Sequence, residues 1–83
     1  MTLLYFAWVR QKVGTGEERI DLPPGVSTVR GLIAHLEKRG GGYADAFGNA
    51  QRLRAAVNQE HAGLDAAISA TDEVAFFPPV TGG

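Results

Sequence analysis

The chain has 83 residues, 45% of them hydrophobic, with Lys+Arg 8 against Asp+Glu 9 and a net charge of -1. That is enough for one small domain burying roughly 60–65% of its unfolded surface, and too apolar for a disordered chain. The basic residues form no run, which denies nucleic acid an electrostatic footprint; no apolar stretch nears the ~20 residues of a membrane span; and the lack of cysteine removes disulfides and soft metal sites.

The first element in chain order is Thr2 to Val9, rich in aromatic and β-branched residues and expected as a strand. Alternation puts Leu3, Tyr5, Ala7 and Val9 on one face and Leu4, Phe6 and Trp8 on the other. A turn over Val13–Gly16 leads to a second strand, Glu18–Leu22, stopped by Pro23-Pro24. Ser27 or Thr28 caps a helix in which Val29, Leu32, Ile33 and Leu36 recur at i, i+3, i+4 and i+7. Gly40-Gly41-Gly42 closes that helix, and Tyr43–Phe47 follows as one further helical turn. Leu53–Val57 reads as a third strand with Asn58–His61 as its exit, and Val74–Phe77 as a final strand ended by Pro78, which has no N–H for a ladder. The order ββαββ implies an α+β domain with one mixed sheet wrapped across one main helix, the ubiquitin-like or β-grasp arrangement. A β-grasp domain over 1–77 would carry a tail over 78–83.

Few side chains point to chemistry within the chain. The triglycine follows the main helix, whereas a phosphate loop precedes one, so it reads as a cap. His35 and His61 stand far apart with no metal spacing, so no metal site is expected. Asp72-Glu73 are adjacent turn residues whose side chains diverge, which suits solvation better than acid–base work. Leu4, Phe6 and Trp8 leave two readings open: a second internal core under the Gly40–Gly48 region, or an apolar patch kept for a partner. If Val74 and Phe76 face the helix, Ala75 and Phe77 join the outer side.

The sequence finishes FFPPVTGG. Pro78-Pro79 stiffen the start of an extended segment. The four residues after Pro79, Val80, Thr81, Gly82 and Gly83, reach about 13 Å at ~3.3 Å each. Gly82 and Gly83 have no Cβ and suit a channel too narrow for side chains.

The closing run DEVAFFPPVTGG, the opening YFAWVR and the middle segment AVNQ resemble the small subunit of molybdopterin synthase, the MoaD family of ubiquitin-like sulfur carriers. The resemblance spans the chain in order. It implies that a MoeB-like enzyme uses ATP to adenylate the Gly83 carboxylate, and that sulfur then replaces an oxygen to give a thiocarboxylate. It further implies that the tail enters a MoaE-like large subunit and gives its sulfur to cyclic pyranopterin monophosphate in molybdenum cofactor biosynthesis, two charged carriers being consumed per pterin. On this resemblance Gly83 bears the sulfur and Gly82 is its slender neighbour. Phe6, Arg10, Phe77, Pro78, Pro79, Val80 and Thr81 face the partners. No cofactor is expected on the chain, and neither nucleic acid nor membrane is a partner. His61 departs from the family, which often has an apolar residue after the Asn-Gln pair, and Trp8 occupies an often polar position. With no basic leader or cleavage site at its start, the chain is expected in the cytoplasm.

Other readings of the same tail are a carrier for thiamine thiazole synthesis, a modifier that forms isopeptide bonds through Gly83, and a binding module whose tail is never activated.

Overall fold

A computed structural model describes residues 1–79. Five strands form one mixed sheet: β1 (Thr2–Tyr5), β2 (Glu17–Arg19), β3 (Arg54–Val57), β4 (Glu60–Ala62) and β5 (Glu73–Phe77), in spatial order β2-β1-β5-β3-β4. β1 and β5 are parallel at the centre, and the remaining pairs are antiparallel. Three helices, α1 (Ala7–Val13), α2 (Val29–Glu37) and α3 (Gly41–Phe47), complete the architecture with a 3₁₀ turn at Ala50–Arg52.

The central helix follows its sequence. The Thr28 hydroxyl accepts the Gly31 N–H at 3.1 Å, and Val29, Leu32, Ile33 and Leu36 are all buried. They pack on the inner sheet face, where Leu3, Tyr5, Ala55, Val74 and Phe76 point inward. Phe47 of α3 meets Phe76 edge-to-face with ring centroids 5.0 Å apart, and Tyr5 stacks on Phe76 at 6.3 Å.

The first expected strand is cut in two. β1 stops at Tyr5, and Ala7–Val13 is a helix. Val9 and Val13 stand at i and i+4, Val9 is fully buried, and both contact the core, which a helix achieves and an extended chain does not. Gly14, at φ 95°, closes α1 in the left-handed region with its N–H on the Arg10 carbonyl. The reversal between β1 and α1 is made by Ala7 at φ 53°, a conformation costing an L-residue about 1–2 kcal/mol.

The triglycine also differs from expectation. Lys38 caps α2, and Gly40 begins the next helix instead of merely ending the last. Its tightest demand falls at Gly42, where a Cβ would lie 1.7 Å from the Lys12 carbonyl oxygen. Backbone against backbone is therefore what this glycine permits, where α1 and α3 cross. β2 ends earlier than expected, at Arg19, although Ile20 still exchanges two bonds with Met1: its N–H donates to the Met1 carbonyl at 3.1 Å and its carbonyl accepts from the N-terminal ammonium at 2.8 Å.

The exit after β3 is instead a hairpin. Val57 pairs with Glu60 across Asn58 and Gln59, at φ 51° and 71°, the positive pair that a two-residue type I′ turn requires. Asn58 is held there from three sides. Its N–H donates to the Glu73 carbonyl at 2.8 Å, its Nδ2 to Asp72 Oδ1 at 3.0 Å, and its Oδ1 accepts the Glu73 N–H at 3.0 Å. The element order is thus βαβααβββ, with the β-grasp sheet intact; α1 and β4 lie beyond the ββαββ reading, and α3 extends the expected helical turn Tyr43–Phe47 back to Gly41.

Candidate functional site

The outer face of the sheet carries the candidate site. Leu4 pairs with Ala75, Ala75 with Ala56, and Ala56 with His61, giving one row across β1, β5, β3 and β4. Leu4, Ala56, Ala75 and Phe77 are half-buried yet take no part in the core packing, so they form a separate apolar surface. Val74 and Phe76 are fully buried beneath it, as the alternation in the last strand required.

Parallel pairing of β1 and β5 brings Phe6 and Phe77 out together. Tyr5 is the register partner of Phe76, and the Phe6 N–H continues the ladder to the Phe76 carbonyl at 3.1 Å. Phe6 is the one large hydrophobic side chain left substantially in solvent among the described residues, at 49% exposure. Arg10 lies one helical turn beyond, its N–H on the Phe6 carbonyl and its guanidinium over Gly16. Pro78 and Pro79 follow Phe77, both half-buried. Of the expected contact residues, Phe6, Phe77, Pro78 and Pro79 thus sit together at the end of the β1–β5 pair, while the Arg10 side chain lies on the β2 side of β1, over Gly16. Val80, Thr81, Gly82 and Gly83 lie outside the described residues.

Trp8 does not belong to this face. Its place in α1 turns it toward the helical layer, where the Arg52 guanidinium lies 5.3 Å from its ring centroid and Lys12 and Asp45 line the same cleft. The two open readings of Leu4, Phe6 and Trp8 are therefore divided: Leu4 and Phe6 go to the outer surface, and Trp8 packs against the core. His61 is on the outer face, edge-on to Phe77 with centroids 5.5 Å apart. Sequence reasoning missed Arg54 and Ala56 as members of the face. Alternation within Leu53–Val57 held the signal, since Leu53 and Ala55 are buried.

Electrostatics hold the frame. Glu18 of β2 accepts from the Tyr5 and Tyr43 hydroxyls at 2.9 Å each and from Arg39 Nη1 at 2.6 Å. Burial alone would raise the Glu18 carboxyl, but hydrogen bonds from Arg39, Tyr5 and Tyr43 outweigh it and hold the group below the usual glutamate range. Burial first, and the Glu18 carboxylate second, push the Tyr5 phenol far above its ordinary value. The Asp72 carboxyl is held low by the Asn58 amide and the Ser69 N–H, as befits a turn clasp. No group of three or more His, Asp or Glu residues suited to a metal occurs among the described residues. No described helix is long and apolar enough to cross a membrane.

Residues 3–83 match the model of the ThiS family. The chain belongs to the ThiS family. The molybdopterin synthase sulfur carrier subunit of Escherichia coli (strain K12) is 42% identical over 83 residues, covering 98% of this chain and 96% of that protein. Among solved structures, a putative molybdopterin converting factor subunit 1 from Pyrococcus furiosus superposes with a TM-score of 0.74 at 33% identity, covering 95% of both chains. The crystal structure of SAMP1 from Haloferax volcanii superposes at 0.72 with 29% identity over 100% of this chain and 98% of that one. The resemblance to the molybdopterin synthase small subunit is borne out over the full length of this ThiS-family chain, and so is the β-grasp fold.

Proposed function

We propose that this chain is the sulfur carrier subunit of a molybdopterin synthase, with Gly83 as the residue that carries the sulfur. The observation that carries the reading is the full-length 42% identity to a subunit of that name. The geometry supports it: the central strand β5 runs out through Phe77 into Pro78-Pro79, beside an apolar face that the core does not use. A small subunit requires a large-subunit partner, and this face is where we place it, with Phe6, Arg10, Phe77, Pro78 and Pro79 in contact and Val80 to Gly83 threading the partner's channel.

The chemistry follows from the terminus. A carboxylate is a poor electrophile because its charge is delocalised and its leaving group would be oxide. A MoeB-like enzyme joins it to the α-phosphate of ATP and releases pyrophosphate, giving an acyl-adenylate with AMP as leaving group. Attack by hydrosulfide expels AMP and, on loss of a proton, leaves the thiocarboxylate. That anion stays ionised near neutral pH and is nucleophilic, as low-pKa thiolates are. In a MoaE-like large subunit its sulfur attacks a carbon of the pterin precursor and displaces an oxygen substituent, which leaves with the bond pair. Water then cleaves the acyl–sulfur bond, returning the Gly83 carboxylate while the sulfur stays on the pterin as a thiolate. The partner's channel supplies orientation and excludes water. The carrier itself holds no cofactor, ATP being consumed by the activating enzyme, and the cytoplasm is the site of the cycle.

Reconstitution tests this reading. Carrier bearing a thiocarboxylate, mixed with the large subunit and the pterin precursor, is expected to yield molybdopterin in a stoichiometry of about two carriers per pterin; no product from a competent large subunit contradicts it. The likeness to small archaeal modifier protein 1 favours isopeptide attachment through Gly83 as a second reading. Conjugates on lysines of other proteins would identify that activity.

A further inference from the structure

Two polar residues bracket Phe77. Arg54 of β3 stands opposite it in the β3–β5 register, and His61 of β4 sets its ring perpendicular to the Phe77 ring, at an interplanar angle of 88°. Both are exposed, and both rim the apolar face of Leu4, Ala56, Ala75 and Phe77 on its β3–β4 side.

Neither has a charge partner among the described residues. The ion pairs there are Arg30–Asp65 and Arg39–Glu18, so the Arg54 guanidinium holds none of the described carboxylates. Its Nη1 donates to the Gln51 carbonyl at 3.2 Å and the Leu53 carbonyl at 2.9 Å, which fixes one prong of the fork. Nε and Nη2 have no acceptor among the described residues. The carboxylates of the adjoining strands are elsewhere: Glu60 pairs with Val57, one residue out of phase with His61, and Glu73 begins β5 at the end away from Phe77. His61 keeps a ring N–H to donate in either protonation state.

We propose that Arg54 and His61 are specificity determinants of the docking face, selecting a protein surface with an apolar centre over Phe77 and a carboxylate-bearing rim over β3 and β4. The large subunit is taken as that protein, so the inference rests on the function proposed above. The physical basis is asymmetric. A carboxylate meets the free Nε–Nη2 edge of a fork already held in place, and the pair forms with little further ordering. A surface that is apolar there would bury a guanidinium without a counter-charge, and such a partner is rejected.

The test is titration of the full-length protein and its Arg54→Leu and His61→Leu variants with the large subunit from the same organism, at low and high salt. Leucine is the discriminating choice because it suits an apolar partner surface. On this inference each variant raises Kd, Arg54→Leu by about tenfold, and the double variant loses most of the salt dependence of the wild type. An unchanged denaturation midpoint shows that the exposed substitutions left the fold intact, and Arg54→Glu should bind more weakly still. Unchanged or tighter binding by both leucine variants overturns the inference while leaving the carrier function standing. A wild-type chain that accepts sulfur at Gly83 but never binds the large subunit overturns the inference and its place in a synthase together.

Discussion

Tyr5 and Phe76 are register partners in the parallel pair at the centre of the sheet, so the residues that follow them, Phe6 and Phe77, leave the sheet side by side. Phe6 enters a tight reversal and starts α1, while Phe77 leads to the prolines and the tail. One junction therefore supplies both the exposed aromatic and the base of the extended segment.

Phe77→Asp should raise Kd for the large subunit at least about tenfold, because it places a charge at an apolar contact. The fold should survive, since Phe77 is on the outer face and outside the core. Calorimetric titration, with the denaturation midpoint as control, checks this; unchanged affinity would remove Phe77 from the contact.

The crossing of α1 and α3 makes a sharper structural prediction. Gly42→Ala would place a Cβ 1.7 Å from the Lys12 carbonyl oxygen, so helix separation must follow, at a cost of about 2–3 kcal/mol. Ala7→Gly acts in the opposite direction. It relieves the left-handed conformation at φ 53° and should stabilise by ~0.5–1 kcal/mol after the entropy of glycine is counted. Urea midpoints of the two variants should move apart from the wild type in opposite senses.

Much of this was legible in the residues. The apolar stripe of α2 and the alternation of β5 are periodic and are stabilised by the same burial that the periodicity records. The chain after Tyr5 was not legible as a helix, because Phe6-Ala7-Trp8-Val9 continues the aromatic and β-branched content of a strand and carries no polar residue to mark a helical face. What decides for the helix is a long-range event, the packing of Val9 and Val13 on the core, together with a backbone reversal at an alanine that no sequence rule favours. β4 was hidden for a related reason. Type I′ turns announce themselves with Asn-Gly, and here Gln59 fills the glycine position while Asn58 is secured by Asp72 and Glu73, 14 and 15 residues away. The outer face at Phe77 was readable from the alternation of β5, but its extension to Arg54 and His61 depends on strand neighbours that only the sheet order reveals.

Asn58→Ala should destabilise the hairpin by about 1–3 kcal/mol, since it removes two side-chain hydrogen bonds and leaves alanine at a positive φ. Gln59→Gly should do the reverse on a smaller scale, relieving φ 71° at the second turn position. Amide exchange across β3 and β4 reads both effects locally. Equal protection in Asn58→Ala and wild type would contradict the clasp.

Glu18 sets the acid limit of the frame. Its folded carboxyl titrates below its unfolded value of about 4.3, so its contribution is complete above that pH and is lost as pH falls through the depressed folded value. Glu18→Gln should cost about 2 kcal/mol at neutral pH, from the loss of charge-assisted bonds to Arg39, Tyr5 and Tyr43. The gap between variant and wild type should close below pH ~4.3. Asp72 is also depressed, but it is present in both proteins and cancels in the comparison. A gap independent of pH would mean that the charge of Glu18 is not what secures β2 to α2 and α3.

The most direct test of the carrier function is the intact mass after incubation with ATP, a MoeB-like activating enzyme and a sulfide source. Exchange of oxygen for sulfur adds about 16 Da, the same increment as oxidation of Met1, so fragmentation must place the change. An ATP-dependent increment on Gly83 is expected, absent when Gly83 is deleted or followed by an added residue. A Gly83 that remains an ordinary carboxylate beside a demonstrably active enzyme would contradict it.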